Sequence, residues 1–168
     1  MIKQAPMRQH LLIDADDTLW ENNIYFDEAF EQFVEFLDHS TFGPAEVRAV
    51  LDEIELANSR VHGYGSANFG ANLQQCYARL AERAIRDEDL AAVKGFALRI
   101  LEQPVVPFPN VAETLAYLCG RHELTLFTKG QPDEQRMKVD ASGLAGYFVH
   151  TAIVKEKSVA ADRGLVDE

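Results

Sequence analysis

Asp14, Asp16 and Asp17 fall within four positions, directly after the apolar run Leu11-Leu12-Ile13, and a hydroxyl follows at Thr18. A short apolar run cut off by polar residues reads as a buried strand of a parallel sheet. That sets the acids at its carboxyl end, where open α/β sheets bind ligands. Side chains alternate along an extended chain, so Asp14 and Asp16 leave on the same side and Asp17 on the other. Two like charges in one small pocket persist when a cation lies between them or one carboxyl holds a proton. A single chemistry meets both conditions: Asp14 attacks phosphorus with Mg²⁺ alongside, and Asp16 protonates the oxygen that leaves. The plainer reading is a strand end whose solvated acids cap the next turn, since short acidic motifs recur without function.

Two other stretches end in residues that suit this chemistry. Leu124-Thr125-Leu126-Phe127 is a second short strand running into Thr128-Lys129-Gly130, and Phe148 to Val154 reads as a third, running into Lys155-Glu156-Lys157-Ser158. Strands alternating with helices predict a parallel sheet with right-handed crossovers, so the three carboxyl ends share one edge. There the acids hold a metal, while Thr128, Lys129 and the amides around Gly130 hold phosphate oxygens. An ammonium from Lys155 or Lys157 balances charge between phosphate and nucleophile. Taken singly, Thr128 could simply end a strand, and Lys129 or Lys155 could be a solvated surface cation.

The stretch between the first two strands must position these parts, and its pattern is helical. Phe26, Phe30, Phe33 and Leu37 recur at helical spacing, and after Gly43-Pro44 the residues Val47, Val50, Leu51 and Ile54 keep the period. Phe69, Leu73, Cys76, Tyr77 and Leu80 form a third stripe. Leu90, Val93, Ala97 and Ile100 form a fourth, behind the acidic cap Asp87-Glu88-Asp89. Stripes of this kind are core rather than cofactor boxes. Val61 to Gly70 holds three glycines without the order of a phosphate-binding loop. It reads as a flexible link between helices, or as a substrate-facing loop in which Arg60, His62 and Tyr64 set specificity. Pro104, Pro107 and Pro109 end the helical stretch. Asn110 then caps a helix carrying Val111, Leu115 and Leu118, and Pro132-Asp133 starts another that stops near Gly143.

A chain of 168 residues, 47% hydrophobic and 26% charged, can bury one ordinary core or a smaller core plus an insertion. Its 27 acidic and 16 basic residues give a net charge of −11, which disfavours nucleic acid and anionic membranes as partners. A small phosphorylated metabolite would have to bind through local cations. Met1 to Gln9 has no long apolar stretch, and no run reaches the length of a membrane span, so a cytoplasmic location is expected. Cys76 and Cys119, far apart and each in a helical pattern, read as free buried thiols.

Asp14-Ala15-Asp16-Asp17-Thr18-Leu19 resembles the first motif of the haloacid dehalogenase (HAD) superfamily, Asp-x-Asp-x-Thr-Leu. Thr128 stands where the second motif has Ser or Thr, Glu156-Lys157-Ser158 resembles the third, and the helical insertion resembles a helical cap of the first type. The resemblance implies an α/β fold, with a three-layer Rossmann-like core of parallel strands over 1–20 and 105–168 and an all-helical cap over 21–104. It also implies a Mg²⁺-dependent phosphatase that works through an aspartyl-phosphate, with the cap closing to exclude solvent. By it Asp14 is nucleophile and metal ligand, and Asp16 is acid, base and a metal ligand through its backbone carbonyl. Thr128 is a phosphate ligand, and Lys157 rather than Lys155 is the charge-balancing lysine. The second acid favours phosphate esters over haloacids, since a halide leaves without a proton; a phosphomutase would use the same residues.

The family's fourth motif, acids following another strand, has no counterpart before Glu168: Asp162, Asp167 and Glu168 lie in or near a continuing helix and are not given that role. The expectation is an incomplete version of a longer phosphatase, or a chain that self-associates through the uncovered edge of its first strand. Two further readings stay open, a phosphate-binding fragment without activity and a receiver-like phosphoacceptor. Against the latter stand Thr128 at the later strand end and the helical insertion.

Overall fold

The structure, a computed structural model, describes residues 8–157. The continuing helix expected from Ser158, with Asp162, Asp167 and Glu168, lies outside the described residues. Three short strands, β1 (His10–Ile13), β2 (Glu123–Lys129) and β3 (His150–Val154), form one parallel sheet in the order β1-β2-β3. The middle strand is paired along both edges, and its Leu124 and Leu126 are fully buried, which is why it reads as an unbroken apolar run. Leu115 of α5 (Val111–Cys119) and Val139 of α6 (Pro132–Ser142) pack with them, together with Ala15, Leu19, Trp20 and Leu144. Burying one such leucine contributes about 1.5–3 kcal/mol. The register sets Ile13 beside Leu126 and Thr128 beside Ile153. Asp14, Thr128 and the residues after Val154 therefore gather at one edge of the sheet, the fold class being the expected Rossmann-like α/β.

The chain divides into two compact units: one joins the chain up to Glu21 with the chain from Val105 onward, and the other is Asn22–Pro104. The second unit is helical, with α1 (Asn23–Leu37), α2 (Pro44–His62), α3 (Ser66–Leu80) and α4 (Asp87–Leu98), then a 3₁₀ turn at Arg99–Glu102. Phe33, Val47, Leu51, Leu73, Cys76, Tyr77, Val93 and Ala97 have no exposed surface and form its core. Their spacing on each helix is that of a single inward stripe. At the start of α4 the Asp89 carboxylate accepts from the Arg86 backbone N–H at 3.2 Å and from its guanidinium Nη2 at 2.9 Å. That guanidinium holds the Asp89 carboxyl below the usual carboxylate range. Both cysteines are free; burial pushes the Cys76 thiol up to about 11.

Local expectations need correction in four places. The link expected over Val61 to Gly70 shrinks to Gly63, Tyr64 and Gly65. α2 runs on to His62, where the Gly63 N–H caps Ser59 O at 2.9 Å with φ +74°, and α3 starts at Ser66. Asn110 makes no side-chain cap on α5; it adopts a left-handed conformation at φ 66°, which asparagine tolerates better than most residues. The fourth helical stripe does not reach Ile100 as one α-helix, since the last turn tightens to 3₁₀ before Pro104. Finally, β3 begins at His150 because Ala145–Tyr147 form a 3₁₀ turn and the Phe148 N–H donates to Ala145 O at 3.2 Å. Among the described residues no helix is long and apolar enough to cross a membrane.

Candidate active site

Chain reversal just beyond β1 sets the positions of both acids. Ala15 is fully buried, and its carbonyl accepts from the N–H groups of Thr18 at 3.1 Å and Leu19 at 2.7 Å. Asp17, in the left-handed region at φ 56°, donates its N–H to Trp20 O at 2.8 Å. The turn is anchored by Leu19 and Trp20, which are 4% and 1% exposed, and by the Phe108 N–H donating to Leu19 O at 2.9 Å. Asp14 thus ends the strand and Asp16 begins a tight turn.

Among the described residues the two carboxylates take separate partners. Lys157 Nζ lies 2.5 Å from Asp14 Oδ1, and the Thr18 hydroxyl is 3.4 Å from Asp14 Oδ2. Asp16 turns away into a separate set of donors: Trp20 Nε1 at 2.9 Å from Oδ1, Gln135 Nε2 at 2.9 Å from Oδ2, and Lys138 Nζ at 3.2 and 3.1 Å from the two oxygens. Each acid thus has its own ammonium beside it, Lys157 at Asp14 and Lys138 at Asp16. The side chains are 45% exposed at Asp14 and 19% at Asp16. Asp14 is open to attack an incoming group, while Asp16 is held.

Thr128 is 1% exposed, and its hydroxyl donates to Gln135 Oε1 at 3.4 Å. Gly130 donates its N–H to Val154 O at 3.0 Å, so that amide is spent within the sheet. What Gly130 supplies is space: at φ +153°, a Cβ there would stand 2.7 Å from Gln135 Nε2. Lys129 Nζ lies 3.8 Å from Glu156 Oε1. Lys155 is exposed, whereas Lys157 is half-buried, with its ammonium 5.3 Å from the centre of the Phe127 ring. Arg60, His62 and Tyr64 are exposed on the helical unit, at the end of α2 and in the glycine turn.

The structure thus gathers Asp14, Asp16, Thr128 and Lys157 at one sheet edge and adds three residues that sequence reading missed, Trp20, Gln135 and Lys138. The sequence carries no signal for two of them: Gln135, Lys138 and Ser142 follow one another at helical spacing, but only the structure shows all three buried, in a helix that buries a single apolar residue, Val139. As to a metal, no group of three or more His, Cys, Asp or Glu side chains converges among the described residues. The half-exposed Asp14 carboxylate is an oxygen donor of the kind a hard cation takes, and Mg²⁺ binds through one or two carboxylates while keeping several waters. The donor type fits that ion.

No protein-family model and no curated protein matches the chain. Solved structures do. A haloacid dehalogenase-like family hydrolase from Xanthomonas campestris aligns with 100% of this chain and 70% of its own at 26% identity and a TM-score of 0.87. A Bacillus subtilis protein described as a HAD-hydrolase, bound to magnesium, aligns with 87% of this chain and 65% of its own at 16% identity and a TM-score of 0.59. The L-2-haloacid dehalogenase of Xanthobacter autotrophicus, with chloropropionic acid covalently bound, aligns with 96% and 64% at 17% identity and a TM-score of 0.55. The chain spans about two thirds of the length of these structures.

Proposed function

The chain belongs by fold to the haloacid dehalogenase superfamily, and from that premise we propose that it hydrolyses a small phosphate monoester through an aspartyl-phosphate on Asp14. The observation that carries this reading is the pairing at the sheet edge of a half-exposed Asp14 carboxylate with Lys157 at 2.5 Å, beside a second acid. Asp14 attacks phosphorus, and the bond to the ester oxygen breaks as Asp16 delivers a proton to it. Asp16 then takes a proton from the water that attacks the aspartyl-phosphate, which returns Asp14 and releases inorganic phosphate. Lys157 balances charge between nucleophile and phosphate, and the Thr128 hydroxyl turns to a phosphate oxygen.

Asp14, with the main-chain carbonyl of Asp16, would hold Mg²⁺. When bound, that ion screens the repulsion between the carboxylate and the phosphate dianion. Several of the structural neighbours are dehalogenases. Dehalogenation needs the nucleophile but no acid for the departing halide, so the second carboxylate in the motif favours an ester whose leaving oxygen must be protonated.

Hydrolysis of an aryl phosphate by the 168-residue chain, with and without Mg²⁺ and beside Asp14→Asn, tests the reading. Metal-dependent turnover lost in the variant is expected. Turnover of equal size in Asp14→Asn would exclude Asp14 as nucleophile.

A further inference from the structure

Lys138 and Gln135 have no part in the chemistry above, yet both are almost wholly inside the protein, 8% and 3% exposed. A lysine is rarely buried unless it is paired, and a buried amide needs partners for both ends. Both find them on Asp16. Its Oδ1 accepts from Trp20 and Lys138, and its Oδ2 accepts from Gln135 and Lys138, all between 2.9 and 3.2 Å. Two donors per oxygen fix the carboxylate in plane as well as in place. Glu134, one helical turn before Lys138, lies 3.8 Å from the same ammonium and steadies it from the other side.

The orientation of the Gln135 amide follows from its neighbours. The amide presents Nε2 to Asp16 Oδ2 at 2.9 Å, and its Oε1 faces Thr128, whose hydroxyl donates to it at 3.4 Å. One side chain thereby joins the hydroxyl that reads phosphate to the carboxylate that handles the proton. Gly130 leaves room for that side chain, as a Cβ in its place would collide with the amide nitrogen.

We propose that Gln135 and Lys138 are positioning residues that hold the Asp16 carboxylate for proton transfer and couple it, through Gln135, to phosphate at Thr128. The proposal rests on the role given to Asp16 above. When a phosphate oxygen accepts the hydrogen bond of the Thr128 hydroxyl, Gln135 Oε1 loses its donor, so binding of phosphate is felt at Asp16 through one amide. The competing account is that the two residues only fasten α6 to the turn after β1.

The single tryptophan of the chain is a built-in reporter, because its indole N–H donates to Asp16. The experiment compares wild type, Asp16→Ala, Lys138→Met and Gln135→Leu, the last two keeping side-chain volume. The first readout is the indole ¹H–¹⁵N cross-peak of Trp20, and the second is kcat on an aryl and on an alkyl phosphate. Lys138→Met and Gln135→Leu are expected to move the cross-peak toward its position in Asp16→Ala while the amide spectrum stays folded. They are also expected to lower kcat on the alkyl ester about tenfold or more beyond any loss on the aryl ester, whose leaving group needs little help from an acid. A cross-peak that stays at its wild-type position, or equal losses on the two esters, overturns the proposal. If wild type turns over neither ester, the phosphatase reading fails by itself and the cross-peak alone decides whether Asp16 is positioned by this pair.

Discussion

Asp14 and Asp16, two positions apart, are treated differently by the fold. Asp14 is gripped by Lys157 on one oxygen and only distantly by Thr18 on the other, while Asp16 has both oxygens filled by buried donors. The first suits a group that must reach out to a substrate, and the second a group that must not drift. On the proposed reading, removing the ammonium beside Asp14 should therefore act on the transition state. Lys157→Met is expected to lower kcat for an aryl phosphate by about a hundredfold or more, in the range seen when one charge-stabilising donor is lost. Steady-state kinetics beside wild type checks it, and an unchanged kcat would remove Lys157 from the site. Asp14, Asp16 and Thr128 were legible because they stand at or just past the end of an apolar run, whereas Lys157, three positions beyond Val154, was preferred to Lys155 through the family resemblance. Gln135 and Lys138 were not legible, since a polar residue on a helix reads as solvent-facing until the position of Asp16 in space shows which face is turned inward.

Elements were legible in proportion to the apolar residues that define them. The stripes on α1, α2 and α3 carry their own phase, and Phe33, Leu51 and Leu73 are all buried as that phase requires. α6 has almost no apolar stripe, and its start and stop were readable only from Pro132 and Gly143. The turns were the least readable: Asp17 and Asn110 are left-handed without being glycine, and the Gly130 N–H is bound across the sheet to Val154 O. Gly130→Ala tests one such contact. With φ at +153° and Gln135 Nε2 only 2.7 Å from the new Cβ, the loss of stability in a urea titration is expected at about 1–3 kcal/mol, and wild-type stability would contradict the crowding. Helix packing makes a separate prediction. Cys76 has no exposed surface, and its thiol is pushed up to about 11, so little reactive thiolate exists at neutral pH. A thiol reagent should label the half-buried Cys119 first in the native protein and both equally in urea; equal native rates would place Cys76 outside the core.

Taken whole, the molecule carries −11 charges, and on the proposed reading a phosphate dianion must approach it. Far from the site the summed field repels, and close to it Lys157 attracts. Raising ionic strength from about 0.01 to about 0.15 M shortens the screening length from about 30 to about 8 Å. KM for the ester should fall over that range as the long-range repulsion is screened, and a rise in KM would mean that Lys157 governs the encounter instead. The sheet has a further consequence for how the chain assembles. His10 and Thr125, hydrogen-bonded at 2.7 Å between β1 and β2, are 115 residues apart in sequence, and the whole helical unit lies between them. Contacts that distant are slow to form, because a loop must be closed before they reward it. Helices joined by short turns need no such closure, and once folded they bring the ends of the intervening chain under control. Pulse-labelled hydrogen exchange during refolding should find the amides of α3 and α4 protected before those of Leu12 and Leu126, so that the candidate site, whose Asp14 follows β1 directly, is the last part of the protein to come into being.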